Sequence, residues 1–135
     1  LSNDPFCIIT LEKNIVNDIN DIKNKRGITI NGYSSGDYLL KENITTDIQS
    51  VKSLPEGLLL LDMQKGDFYI GSYITASCIK NVPKKYNIHV IPNEHDQIVI
   101  FLQKNNIELC SEINTIIEEL QYNGFLEGLM KKWNL

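Results

Sequence analysis

A chain of 135 residues, 42% hydrophobic and 22% charged with only four prolines, can bury one core and hardly two, and its balance is that of a globular rather than a disordered or fibrous protein. A net charge of −4, in which Lys84-Lys85 and Lys131-Lys132 are no more than pairs, offers no basic stripe to a phosphate backbone and argues against a nucleic-acid partner. The longest apolar run, Leu58 to Leu61, is too short to span a bilayer, so membrane association is expected only through a partner or a lipid anchor outside these residues. Cys7, Cys78 and Cys110 are odd in number and widely spaced, which fits neither a disulfide framework nor a CxxC site. Their apolar neighbours predict buried thiols acting as small hydrophobes.

Taken in order, Phe6 to Leu11 is an apolar run after Asp4-Pro5 and predicts a strand that begins beyond a proline. Ile15, Val16, Ile19 and Ile22 predict a short helix capped by Asn14, with Lys23 to Arg26 complementing its dipole. Gly27 to Ile30 alternates apolar and polar, Asn31-Gly32-Tyr33-Ser34-Ser35-Gly36 collects turn residues, and Tyr38, Leu39 and Leu40 resume at helical spacing. That is strand, tight loop and helix. A serine there suits a helix N-cap. The same hydroxyls and free backbone N–H groups also suit a carboxylate or other anion at the helix start.

Thr45 to Val51 is a weaker strand pattern. Ser53-Leu54-Pro55-Glu56 reads as a capping box opening a helix that carries Leu58, Leu59 and Leu61 to a stop at Gly66, with Gly57 a minor cost inside it. Phe68 to Gly71 predicts a strand and Ser72 to Lys80 a helix ending before Pro83. Ile88 to Ile91 and Gln97 to Leu102 predict two strands separated by a loop at Pro92-Asn93-Glu94-His95-Asp96. From Ile107 the spacing is helical, with Leu109, Cys110, Ile113, Ile116, Ile117 and Leu120 on one face, ending at Asn123-Gly124. Phe125, Leu126, Leu129, Met130 and Trp133 form the face of a last helix. Strands alternating with helices imply an α/β fold, a largely parallel sheet with helices on both faces. Ligands of such sheets bind beyond the carboxyl ends of the strands, where Gly32 to Ser35 and Gly71-Ser72-Tyr73 fall.

Ile19 to Ile30, followed by Tyr33-Ser34-Ser35 and Tyr38-Leu39, resembles the stretch that opens the second lobe of bacterial extracellular solute-binding proteins of the amino-acid type. Asn114 to Leu120, Asn123-Gly124-Phe125-Leu126 and Lys131-Lys132-Trp133 are similar to that family's C-terminal pattern, and Ser2-Asn3-Asp4-Pro5-Phe6 resembles its entry to the first hinge strand. The family's fold, a type II periplasmic-binding-protein fold, has two α/β lobes joined by two hinge strands with the solute between them. The resemblance implies that residues 1–135 form one lobe: about 12–98 the second lobe, 99–135 a hinge strand near Val99 to Leu102 and C-terminal helices that pack on the first lobe. The half of the first lobe not represented would carry the carboxylate-binding arginine and an aromatic platform.

By resemblance Ser34 and Ser35 match the pair that meets a ligand's α-carboxylate, with Tyr33 beside them, and Ser72 and Tyr73 face them as further ligand-binding residues. Of the family's two acidic positions, the last of which takes the ligand's ammonium group, Tyr69 occupies the first and Tyr73 or Ile74 the last, and Asp67 falls too early to substitute. An unpaired buried ammonium would cost several kcal/mol, about 3 to 5. The resemblance implies a substrate-binding component of an ABC importer for amino acids or related small polar solutes, periplasmic or at the cell surface, whose partners are the solute (an amino acid or small acid) and a permease. A sensor domain of a membrane signalling protein shares the fold and is the alternative. Dehydratases resembling these receptors would need an acid/base pair. His89 on a strand and His95 in an acidic turn fit surface roles better, so no enzyme activity, cofactor or metal is expected.

Overall fold

The computed structural model describes residues 3–79, 85–97 and 99–133. Strand β1 (Asn3–Leu11), β2 (Gly27–Ile30), helix α1 (Ser34–Lys41), β3 (Ile48–Val51), α2 (Leu54–Asp62), β4 (Phe68–Ser72), α3 (Tyr73–Cys78) and β5 (Tyr86–Gln97) are followed by α4 (Ile107–Tyr122) and α5 (Phe125–Trp133). The five strands form one sheet in the order β3-β2-β4-β1-β5. β2 runs parallel to both β3 and β4, while β1 is antiparallel to β4 with Ile8 opposite Ile70. This is the expected α/β architecture with its largely parallel sheet. Residues Asn3–Asp96 form one compact unit, and the residues from Gln97 onward a second.

Period-two alternation sorts the strand residues onto two cores. Phe6, Ile8, Phe68 and Ile70 join Leu39 of α1, Ile22 and Ile44 on one face of the sheet. Cys7, Ile9, Ile28 and Tyr69 join Leu54, Leu58 and Leu61 of α2 and Ala76 of α3 on the other. Burial on both faces explains why β1 and β4 read as unbroken apolar runs rather than alternating ones.

The ring of Tyr69 occupies a slot that two glycines make possible. A Cβ on Gly57, inside α2, would lie 2.7 Å from Tyr69 Cδ2, and one on Gly71 would lie 2.6 Å from its hydroxyl oxygen. Gly57 therefore allows α2 to approach the sheet. The sequence predicted that Gly66 stops α2, but it does not. The helix ends at Asp62, with Gln64 in the left-handed region (φ 55°) and the Lys65 N–H donating to the Leu60 carbonyl at 2.9 Å. Gly66 instead admits Ile28, whose Cδ1 would stand 2.4 Å from a Cβ there.

Other expectations also change. The helix expected from Ile15 to Ile22 reduces to a single 3₁₀ turn, Ile19–Ile22, capped by Asp18 rather than Asn14. The Asp21 carboxylate accepts from the Asn17 and Asp18 N–H groups, a local alternative to a longer helix that Asp and Asn favour. The Ser53 capping box does not form: the Ser53 side chain makes no cap bond, and Glu56 accepts from the N–H of Lys52, the residue before the N-cap, at 2.8 Å. The loop expected at Pro92 to Asp96 is part of one continuous strand, β5. β5 is the last strand in the sheet, where a proline's missing N–H costs no interior ladder bond, and Asn93 absorbs an irregularity at φ 64°. Residues 99–103 form no strand, so neither the strand expected over 97–102 nor a hinge strand near Val99 to Leu102 is present among the described residues. The expected end of α3 at Lys80, before Pro83, lies outside the described residues.

Helices α4 and α5 meet at Asn123 and Gly124 (φ +74°) as the sequence predicted. Neither buries a residue. Cys7 is buried, and burial, aided by the charge of Asp4, pushes its thiol up to about 12. Cys78 and Cys110 are exposed, contrary to expectation. Cys78 falls in the last turn of a short helix, and Cys110 lies on a helix with no buried face.

At the amino ends of the parallel strands, Arg26 and Asp67 form a closed clamp. The guanidinium donates to the carboxylate through Nη2 at 3.0 Å and Nε at 3.2 Å, the Arg26 N–H donates to Oδ2 at 2.9 Å, and the Asp67 N–H donates to the Arg26 carbonyl at 2.8 Å. These bonds hold the Asp67 carboxyl below the usual carboxylate range. A depressed acid stabilises the fold above its unfolded pKa, about 4, and that contribution is lost as pH falls through the lower native value. Asp67→Asn should therefore lower the melting temperature at neutral pH, and the gap from wild type should close under acid. A gap independent of pH would remove the clamp's charge from the account. At Gly57, helix propensity alone predicts that Gly57→Ala stabilises by about 1 kcal/mol. The Tyr69 contact predicts the reverse, a loss of about 1–3 kcal/mol from overpacking, measured by chemical denaturation and reduced when Tyr69→Leu is also made.

Candidate functional site

β2 and β4 lie side by side and parallel, so the loop after Ile30 and the junction after Ser72 open at the same end of the sheet. Their ladder is short, pairing Gly27 with Phe68 and Ile28 with Tyr69. Beyond those pairs, α1 reaches into the parting strands. The Ser35 hydroxyl stands 2.8 Å from Thr29 Oγ1 on β2 and donates to the Ile70 carbonyl on β4 at 3.5 Å, all of it buried.

Ser34 is the first residue of α1, and Tyr33 takes the N-cap position without a side-chain cap bond. The serines are thus not N-caps. The loop before them is shaped by Gly32 at φ +78°, and the Tyr33 N–H donates to the Ile30 carbonyl at 3.2 Å. Backbone N–H groups at a helix start lack intrahelical partners and carry partial positive charge. Here the Gly36 N–H already donates to the Tyr33 carbonyl at 3.3 Å, which leaves those of Ser34 and Ser35 as the donors of the first turn. The exposed Ser34 hydroxyl donates to the carboxylate of Asp96, at the end of β5. Tyr33 is 46% exposed beside them.

At the second junction, Ser72 caps α3. Its Oγ accepts from the Thr75 N–H at 2.9 Å and donates to Thr75 Oγ1 at 2.9 Å. Tyr73 is half-buried against the α2 side of the core. The Ile74 N–H donates to Asp4 Oδ1 at 3.1 Å, which places the carboxylate of Asp4 here too. Asp67 lies at the opposite end of the sheet, before β4 begins, in the Arg26 clamp.

All five sequence-predicted residues, Tyr33, Ser34, Ser35, Ser72 and Tyr73, therefore stand at the carboxyl ends of adjacent parallel strands. Ser35 and Ser72 have committed their hydroxyls within the protein. Thr29, Asp4 and Asp96 were missed. Thr29 reads simply as a polar position in an alternating strand, and no spacing links Asp96 to a serine 62 residues earlier. A recess of about 370 Å³ lined by Thr29, Asn31, Gly32, Tyr33 and Gly36 opens beside α1, within the size range of small-molecule sites. Cys7, beneath this end, stays a protonated thiol at neutral pH. Among the described residues no group of three His, Cys, Asp or Glu side chains is arranged to hold a metal, and no helix is long and apolar enough to cross a membrane.

No protein-family model and no protein of curated function matches the sequence. Solved structures do match the fold. AbpA from Streptococcus pneumoniae, an amino acid ABC transporter substrate-binding protein bound to L-arginine, aligns at a TM-score of 0.81 and 15% identity over 98% of this chain and 57% of that one. The GluR0 ligand-binding core from Nostoc punctiforme, in complex with L-glutamate, gives 0.79 and 22% over 97% and 61%. The ancestral amino-acid-binding protein AncCDT-1, a precursor of cyclohexadienyl dehydratase, gives 0.77 and 16% over 98% and 57%. The chain thus spans about three-fifths of the length of the structures it matches. Its fold is that of a single lobe of a type II periplasmic-binding protein.

Proposed function

We propose that this chain is one lobe of the substrate-binding component of an ABC importer for amino acids or related small polar solutes. It would work outside the cytoplasm and present its loaded form to a permease. The observation that carries the proposal is the junction at the start of α1. There the exposed Ser34, with its own N–H and that of Ser35, opens at the carboxyl ends of β2 and β4, on a fold shared with proteins bound to arginine and glutamate. A solute carboxylate finds there a hydroxyl donor, backbone donors and the positive end of a helix dipole. One lobe supplies half of the contacts. Closure of a partner lobe over the solute supplies the rest, and the closed state is favoured by as much as the solute binds it better than the open one. No step of bond chemistry is assigned to the lobe; His89 and His95 both lie on β5.

A second reading, a sensor domain of a membrane signalling protein, is favoured by the hydroxyls of Ser35 and Ser72 already being engaged within the protein. A thermal-shift screen of the full-length protein against the protein amino acids separates the two, because a ligand selective for the native state raises its melting temperature. A response identifies a binding protein, and silence to all of them selects the sensor. Within the site, the two serines should part company. Ser34→Ala should weaken the responding amino acid about five- to tenfold through one lost hydrogen bond, with little change in stability. Ser35→Ala should instead destabilise the fold by about 1–2 kcal/mol, because Thr29 loses its buried partner. Unchanged affinity in Ser34→Ala, measured calorimetrically, would remove the carboxylate site.

A further inference from the structure

We propose that the outer edge of β5 pairs with the same strand of a second copy of this chain, antiparallel and centred on Ile88, joining the two sheets into one. β5 is the last strand of its sheet, and among the described residues no strand lies beyond it. An edge strand presents unpaired N–H and C=O groups, and proteins guard such edges with short strands, prolines, charges and bulges. The opposite edge, β3, is only four residues long. β5 runs for twelve residues, and its guards are gathered in one half: Pro92, Glu94 and Asp96, with Asn93 at φ 64°. From Tyr86 to Ile91 the strand carries no proline, glycine, acid or lysine.

Alternation puts Tyr86, Ile88 and Val90 on the α3 side of the sheet, where with Tyr73 and Ser77 they line a groove of about 410 Å³. Val90 is 38% exposed there. The Tyr86 ring is fixed beside it, its hydroxyl donating to Asp62 at 3.0 Å. Charge selects the occupant and its direction. Lys85 stands at the start of the strand, and Glu94 and Asp96 at its end. An antiparallel copy brings the basic start of each strand toward the acidic end of the other, whereas a parallel copy sets like charges side by side. Side chains directly opposite in an antiparallel pair must share a face of the joined sheet, which fixes the choice of register. Centring on Ile88 sets Tyr86 against Val90 of the second copy, Ile88 against its own counterpart, and Asn87 against His89. The apolar contacts then fall on the groove side and the polar ones on the other. Centring on His89 instead places Pro92 in the ladder opposite Tyr86, where it can donate no bond. A pairing of this length buries less than the roughly 1,600 Å² of a standard interface, so the dimer is weak and reversible.

Sedimentation equilibrium of the full-length protein tests this, at concentrations up to about 1 mM to reach a weak association. Wild type should show a monomer–dimer equilibrium. Ile88→Lys and Ile88→Glu each put like charges face to face at the centre of the pairing, and each alone should associate about tenfold more weakly. Mixed together they should dimerise again, because opposite charges now meet. Ile15→Lys, at an exposed apolar residue outside β5, should associate as wild type does. Circular dichroism checks that the variants fold. Should those at Ile88 not fold, Val90→Asp, at a more exposed position of the same face, takes their place and should show the same loss. A wild type that stays monomeric overturns the proposal. So does association that the substitutions in β5 leave unchanged, which would place the contact elsewhere, or a mixture of folded Ile88 variants that regains none.

Discussion

Everything at the candidate site depends on how the gap between β2 and β4 is filled. The two strands are adjacent and parallel, yet their ladder stops after Ile28 and Tyr69. Open backbone polar groups inside a protein are costly unless they find partners. Ser35 supplies one: Thr29 donating to Ser35 leaves Ser35 free to donate onward to the Ile70 carbonyl, so a chain of two hydroxyls spans the parting strands. This fixes the first turn of α1 between the strand ends and aims its N–H groups outward. Ser34, one residue earlier, is exposed for the same reason that Ser35 is buried, since successive helical side chains point about 100° apart.

The Arg26–Asp67 clamp and the candidate site lie at opposite ends of the sheet. The Arg26–Asp67 clamp ties the amino ends of β2 and β4, and the Tyr69 ring, in its slot between Gly57 and Gly71, ties α2 to the middle. Neither uses a residue of the α1 junction. Tyr69 also shows how a position that the resemblance assigns to an acid is put to another use. Its side chain belongs to the core beneath α2, where it contributes buried ring area.

The legible parts of the sequence were those governed by local periodicity and turn chemistry. Gly27 to Ile30, Phe68 to Ser72, and the two C-terminal helices with their Asn123-Gly124 break all form close to where their patterns place them. Parallel strand ends also put the right loops at one end of the sheet. What could not be read were facts set by distant contacts. Pro92 to Asp96 carries every mark of a loop, yet it continues β5, because a place at the sheet edge tolerates a proline that an interior strand would reject. Gly57 looks like a flaw in a helix until Tyr69, twelve positions on, is seen to need its space. Ile15 fits a helical face on paper but is 71% exposed, because Asp18 and Asp21 tie the chain into a tight turn first.

That misread segment at Pro92 to Asp96 bears directly on the site. If those residues formed a loop away from the sheet, Asp96 would be one more surface acid. As the end of a strand it is carried to the start of α1, where Ser34 donates to it.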